Sequence, residues 1–82
     1  MQVILKHSTY RIKNGFAVHS PEIGLTAHGY SPEIAEMNLE RMVVMFMQPF
    51  RREGTLKDAI NRMKIRTDGS DPQDSELIVT VE

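Results

Sequence analysis

Residues 14–38 constrain the fold of this chain more than any other stretch, because they combine a hairpin turn, two short strands and a helix start. An Asn-Gly pair at 14–15 is typical of a tight hairpin, and Pro21 ends the strand that follows it. The Ser-Pro-Glu sequence at 31–33 predicts a helix start. Serine caps free amides, proline suits the first helical position, and glutamate favours the positive end of the helix dipole.

Three strand signals precede that helix. The first strand is marked by residues 3–5 and 10–12, and the polar stretch between them can bend or interrupt it. The second strand covers 15–20, and the third, at 25–29, can return antiparallel with its apolar side chains on the same face. The sequence therefore predicts a three-stranded antiparallel meander.

Side-chain alternation decides between two registers for the first hairpin. A two-residue loop would place Arg11 opposite Val18 and so bring a charge to the apolar face. A three-residue loop sets Ile12 opposite Phe16 and Tyr10 opposite Val18, which makes one continuous apolar face. The second register is the prediction.

The helix that starts at Ser31 is expected to run to about Gln48, before Pro49. Its apolar residues form one stripe on a wheel of about 100° per residue, and this stripe can cover the meander. The predicted core stripe consists of Ala35, Leu39, Met42 and Phe46, with Ile34, Val43 and Met45 near its margins.

A second, shorter helix is predicted after Gly54. Residues 55–58 resemble a capping box, and one side of the helix carries the apolar residues Leu56, Ala59, Ile60 and Met63. The polar, turn-rich stretch 67–75 is expected to be a mobile loop, and 77–81 resumes as a strand. The element order β-β-β-α-α-β predicts one α+β domain spanning residues 1–82, with a main helix packed on the sheet.

Packing against the meander does not explain two apolar residues of the main helix. Met37 and Val44 fall on the side that carries Glu40 and Gln48. Isolated apolar residues are ordinary on protein surfaces, so one interpretation gives them no function. The other interpretation is a contact between copies of the chain. A domain this small buries only about 60% of the surface that its unfolded chain exposes, so its own core is marginal and oligomerisation would stabilise the fold.

Composition and charge exclude several classes of protein. The absence of cysteine excludes a disulfide framework, a thiolate zinc site and a cysteine nucleophile. Ten basic and eleven acidic residues give a net charge of -1, so overall charge does not attract nucleic acid. No apolar stretch approaches the roughly 18 to 20 residues of a membrane span. A soluble, cytoplasmic protein is expected.

Short motifs follow one another in order along most of the chain. They comprise Gly15, Phe16, Val18, Pro21, Glu22, Thr26, Gly29, the Ser-Pro-Glu at 31–33, Ala35, Asn38 and the Arg-Glu-Gly-Thr-Leu at 52–56. This series resembles the HicB-type antitoxin pattern, in which a G-Y-x-V strand leads to a P-D/E turn, a T-x-G strand and a T-P-E-E-A-x-x-N helix. The resemblance implies a partial, degraded ribonuclease-H-like fold.

Two departures from the family pattern bear on function. Family members often have a P-G-C turn after the second strand, whereas residues 21–25 are shorter and lack the second proline and the cysteine. Many family antitoxins also carry a C-terminal ribbon-helix-helix or helix-turn-helix module for operator DNA. This sequence reaches Glu82 with its fourth strand, so a stand-alone form is expected, and direct DNA binding is not expected without an additional module.

No group of residues predicts catalysis, a metal or a cofactor. Cleavage of the ribonuclease-H type needs several carboxylates around two metal ions, and the predicted core strands carry none. The acidic residues considered are Glu22 in a turn, Glu33, Glu36 and Glu40 on the main helix, and Asp68, Asp71 and Asp74 in the 67–75 loop. Solvated surface charge is the expected role of these residues.

Two histidines and one cluster of basic residues each allow two interpretations. His19 opposite Thr26 and His28 opposite Ala17 would be diagonal neighbours about 7 to 8 Å apart, near enough to share a metal ion. Two ligands do not complete a zinc site, and exposed strand or interface residues are the other interpretation. The basic residues Arg51, Arg52, Arg62, Lys64 and Arg66 are interrupted by acidic ones, which favours a solvated helix surface over a nucleic-acid patch.

The resemblance implies that the protein binds and does not catalyse. It would cover the active surface of a small HicA-type toxin that cleaves mRNA. The candidate partner or oligomer contacts are Pro21, Glu22, Ile23, Met37 and Val44. The alternative is an orphan structural or oligomerisation module without a toxin, a dimer or higher oligomer formed through the Met37/Val44 side and sheet edges. A metal-dependent hydrolase is a third hypothesis.

Overall fold

The computed structural model describes residues 1–67 and 76–81. These residues form the strands β1 (Gln2–Lys6), β2 (Ser8–Ile12), β3 (Gly15–Ser20), β4 (Leu25–Gly29) and β5 (Glu76–Thr80), and the helices α1 (Pro32–Glu53) and α2 (Leu56–Arg62). The α+β class, both predicted helices and the predicted second and third strands are confirmed. Most of the predicted 67–75 loop lies outside the described residues.

The described strands form two antiparallel sheets. β2, β3 and β4 make the predicted meander, whereas β5 pairs with β1 in a separate two-stranded sheet. His7 separates β1 from β2, at the polar stretch where the sequence allows an interruption. In the two-stranded sheet Val3 lies opposite Val79 and Leu5 opposite Leu77, so both strands direct apolar side chains to one side. This sheet adds a second layer of contacts to the core.

The hairpin between β2 and β3 adopts neither of the two registers derived from the sequence. Ile12 pairs with Gly15, so residues 13–14 form the loop, and Arg11 lies opposite Phe16. The Arg11 guanidinium lies 5.7 Å from the centre of the Phe16 ring, which is a cation–π distance. The predicted pairing of Ile12 with Phe16 is therefore wrong.

Tyr10 correspondingly lies opposite Ala17, and its predicted pairing with Val18 is also wrong. The physical reason is that β2 contributes little to the core, since residues 8–11 are all exposed. A strand that buries neither face does not have to match its apolar side chains to the neighbouring strand.

Helix α1 packs across the meander and also contacts β5 and α2. Its fully buried residues are Ala35, Leu39, Val43 and Met47. The predicted stripe is correct in the first half of the helix, but Met42 and Phe46 are only partly buried and the residue that follows each of them takes the core position. Contacts with β5 and α2, which the prediction did not include, turn the second half of the stripe.

Helix α1 continues through Pro49, so its predicted end at about Gln48 is wrong. The continuation places Phe50 against the core, with its ring 5.8 Å from the Phe46 ring in a T-shaped arrangement. Gly54, at φ 74°, then ends the helix in the left-handed conformation that glycine adopts readily. Burial of Phe50 and this stop signal outweigh the loss of one backbone hydrogen bond at an exposed proline.

Helix α2 has the predicted apolar side, with Leu56, Ala59 and Ile60 buried and Met63 packed against the core. The predicted capping box is wrong, because the Thr55 side chain makes no capping hydrogen bond to α2. Its hydroxyl donates instead to the Phe50 carbonyl at 3.4 Å. Thr55 therefore belongs to the turn that closes α1.

Candidate protein-binding surfaces

Several motif residues meet where β4 joins α1. The Ser31 hydroxyl accepts a hydrogen bond from an amide of the first helical turn at 3.2 Å, as predicted for a cap. The Asn38 side-chain amide donates to the His28 carbonyl at 2.7 Å. A Cβ on Gly29 would lie 2.5 Å from the Ala35 nitrogen, so only glycine allows this close approach. These residues fix the start of α1 against β4.

The turn between β3 and β4 contains three of the candidate contact residues. Pro21 is exposed, whereas Glu22 and Ile23 are half-buried. The Glu22 carboxylate accepts a hydrogen bond from the Lys6 amide at 2.5 Å, and Ile23 packs against the core. Pro21 is thus available to a partner, while its two neighbours hold the turn against the rest of the protein.

The exposed side of α1, the outer stripe, consists of Ile34, Met37, Arg41, Met45 and Gln48. Met45 is 68% exposed, Met37 51% and Ile34 43%. The placement of Met37 away from the meander is confirmed. The placement of Met45 near the margin of the core is wrong, because the buried stripe turns away from it in the second half of the helix. Ile34 is 43% exposed but lies beside Gly29 of β4, at the margin of the core as predicted.

An open groove of about 560 Å³ runs between α1 and β5. Arg41, Val44 and Met45 line it on the helix side, and Ile78 and Thr80 line it on the strand side. Val44 is half-buried in this groove. Ile78 was not predicted as a contact residue, since the position of β5 next to α1 depends on a pairing with β1 that no local signal reveals.

The two strand histidines occupy the predicted positions. His19 lies opposite Thr26 and His28 opposite Ala17, which confirms the register of β3 and β4. His19 Nδ1 and the Thr26 hydroxyl share a hydrogen bond of 2.8 Å, and His28 is exposed. In residues 1–67 and 76–81, no three histidine, aspartate or glutamate side chains are grouped so that they could hold a metal ion.

A polar group at the break between β1 and β2 was not predicted from the sequence. His7 is buried, with its Nε2 3.7 Å from a carboxylate oxygen of Glu36 on α1. Extending the β2–β3 register by one residue places His7 across from Ser20, which is fully buried. The contact between His7 and Glu36 joins the strand break to α1. Because Ser20 is fully buried, its hydroxyl is not accessible to a substrate as a nucleophile.

The basic residues lie around the ends of the two helices, with acidic residues among them. Arg51 and Arg52 are exposed in the last turn of α1, and Arg62 and Lys64 are exposed around the end of α2. Arg66 is engaged elsewhere, since its guanidinium donates to a β5 glutamate at 2.6 Å. Arg62 lines one groove together with Glu53 and Asp58, and this mixture of charges favours the interpretation as solvated helix surface. Of the acidic candidates, Asp68, Asp71 and Asp74 lie outside the described residues.

Comparisons of the chain with protein-family models, with curated proteins and with solved structures gave no match. Within the described part of the chain, no helix combines the length and the apolar character needed to cross a membrane. Function is therefore inferred from the motifs and surfaces of this chain.

Proposed function

We propose that this protein is a non-catalytic binding module that neutralises a HicA-type, mRNA-cleaving toxin by covering its active surface. The observation that carries the proposal is the junction of β4 and α1, where motif residues that resemble HicB-type antitoxins have structural contacts. Ser31 caps the helix, Asn38 bonds to β4, and Gly29 permits their close packing. Motif residues used in this way favour a scaffold for binding over a catalytic centre.

The partial ribonuclease-H-like fold is part of the same proposal. An antiparallel meander with a long helix packed across it supports this assignment. In this proposal the protein works in the cytoplasm, where an mRNA-cleaving toxin meets its substrate. It needs neither a metal nor another cofactor, and it does not bind DNA directly without an additional module.

We assign the toxin contact to the β3–β4 turn. Pro21 is exposed at this turn, and Glu22 and Ile23 are held by contacts with β1 and the core. A turn that is already fixed loses little conformational freedom on binding, so more of its contact energy appears as affinity.

An orphan oligomerisation module without a toxin is the second candidate function. The exposed Met37 and Met45 favour it, and Met45 lines the same groove as Val44. Exposed apolar side chains grouped on one side of a helix mark interaction sites more often than scattered single residues do.

Capture of the tagged full chain's partners from its native cells tests the toxin proposal. At moderate salt, mass spectrometry should identify one small ribonuclease in stoichiometric amount, and the purified protein should inhibit mRNA cleavage by that ribonuclease. Pro21→Asp should weaken the complex about ten-fold, which corresponds to about 1.4 kcal/mol. Asn61→Asp is the matched control, because it makes the same charge change on an exposed residue of α2. Recovery of the protein alone would contradict the toxin proposal and favour the orphan module.

A further inference from the structure

The residues of the outer stripe of α1 are spaced symmetrically about Arg41. Met37 and Met45 lie four residues to either side of Arg41, and Ile34 and Gln48 lie seven residues to either side. Spacings of three and four residues keep side chains on one side of a helix. If two copies of α1 lie antiparallel with a two-fold axis at Arg41, Met37 of each copy therefore meets Met45 of the other.

The charges of α1 fit the antiparallel orientation. Glu33 lies in the first turn of the helix, and Arg51 and Arg52 lie in the last. Parallel copies would place like charges side by side, whereas antiparallel copies place the acidic first turn of one beside the basic last turn of the other. At the centre the two copies of Arg41 meet, and Glu40, the preceding residue of each copy, supplies the opposite charge beside them. Complementary charge of this kind fixes the orientation in which two surfaces associate.

The groove beside β5 extends the same surface. Val44 and Ile78 lie next to Met45 in the groove, so the apolar area does not end at the helix. β5 pairs with β1 along one edge, and among the described residues no strand pairs with its other edge. Open strand edges of this kind are usually covered or protected. A second copy packed on α1 would cover this side of the molecule.

The size of the surface sets the expected affinity. α1 has 22 residues and is therefore about 33 Å long, and a strip about 10 Å wide along it covers roughly 330 Å². A standard stable interface buries about 800 Å² on each partner. Even with the groove included, the contact is small, so we expect dissociation in the micromolar range and a dimer that forms and separates readily.

We propose that two copies of this chain associate through the outer stripes of their α1 helices, antiparallel and with the two-fold axis at Arg41. The association goes beyond the proposed function, because it requires no toxin. It also leaves the β3–β4 turn with Pro21 to a different partner.

Cysteine cross-linking of the full chain tests this arrangement directly. The chain has no cysteine, so any disulfide must join the introduced residues. Arg41→Cys should form a covalent dimer, because the two copies of this residue meet at the axis. Met37→Cys alone and Met45→Cys alone should not, since like residues would be about 12 Å apart along the helices, whereas a disulfide needs Cα atoms within about 7 Å.

The decisive sample is an equimolar mixture of Met37→Cys and Met45→Cys, which should form the mixed dimer about ten times faster than either variant forms a dimer with itself. Tyr10→Cys, on the exposed strand β2, is the control and should remain monomeric on a non-reducing gel.

Self-linking of Met37→Cys and of Met45→Cys at the rate of the mixture would indicate parallel helices and overturn the proposal. Cross-linking of Tyr10→Cys alone would place the contact at β2, and the absence of any cross-link at millimolar concentration would show that the outer stripe does not bind a second copy. Either result also overturns the proposal. None of these results depends on capture of a ribonuclease, so the two proposals fail separately.

Discussion

The inner and outer sides of α1 both carry apolar residues, but the fold buries only those of the inner side. The inner side consists of Ala35, Leu39, Val43 and Met47, which are completely buried, whereas the outer stripe exposes half or more of Met37 and Met45. The inner side packs on the strands and α2, whereas the outer stripe lines open grooves, Met45 along β5, Ile34 beside the end of β4 and Gln48 at the end of α1. Substitutions inside should therefore change the free energy of unfolding, and substitutions outside should change association.

The largest expected effect comes from truncating the inner side. Leu39→Ala should lower the free energy of unfolding by about 2 to 5 kcal/mol, because it leaves a cavity in a fully packed core. Met45→Ala, the matched change on the outer stripe, should cost less than about 0.5 kcal/mol. Urea denaturation followed by circular dichroism, at a protein concentration low enough to keep the chain monomeric, measures both. Equal losses would contradict the division of the helix into two sides.

The close approach of Gly29 on β4 to Ala35 on α1 should contribute nearly as much to the free energy of unfolding. Gly29→Ala should cost about 3 kcal/mol, because its Cβ would overlap the backbone at Ala35 and push the helix from β4. Gly24→Ala is the control. At φ +68° it costs about 1 kcal/mol of backbone strain, but its Cβ would meet open space. A smaller loss for Gly29→Ala than for Gly24→Ala would show that close packing of α1 on β4 is not required.

Pro49 lies on the exposed side of α1, where a substitution changes the helix backbone without changing the core. Pro49→Ala should raise the free energy of unfolding by about 2 kcal/mol, because alanine restores a helical hydrogen bond and removes a steric clash, partly offset by a more flexible unfolded chain. The thermal unfolding midpoint should rise accordingly. A fall in the midpoint would indicate that the proline makes a contact that favours the folded state.

The smallest expected effect distinguishes the two helix starts. Ser31→Ala should cost about 1 kcal/mol, because the hydroxyl caps an amide of the first turn of α1. Thr55→Ala should cost only a few tenths of a kcal/mol, since Thr55 makes no side-chain cap on α2. Chemical denaturation of both variants in parallel checks the difference, and the reverse order would contradict the cap assignment.

Local sequence signals predicted the parts of the fold that depend on a few neighbouring residues. The Ser31 cap and the register that places His19 opposite Thr26 follow from turn chemistry and side-chain alternation over short spans. Met37 could likewise be placed on the outer side of α1 from helical spacing alone. Pro49 was misleading, because its local preference for ending a helix is outweighed by the burial of Phe50 one residue later.

The parts of the fold that local sequence signals did not predict depend on contacts between residues far apart in the chain. The pairing of β5 with β1 brings together residues 70 to 78 positions apart, and it places β5 beside α1, whose buried stripe is rotated from the predicted one. That rotation buries Met47 and leaves Met45 exposed, so the outer stripe could be predicted only in part. Ile78 joined the candidate surface for the same reason.

Sedimentation equilibrium over a wide concentration range, on the wild-type chain and on Met45→Glu, tests the two sides of α1 most directly. The wild-type protein should rise from its monomer mass of 9.4 kDa towards twice that value as concentration increases. Met45→Glu should remain at the monomer mass and unfold at the same urea concentration as dilute wild type, because its side chain touches only the outer surface. A wild-type chain that stays monomeric at every concentration, or a variant that associates as well as wild type, would contradict the assignment of the outer stripe to association.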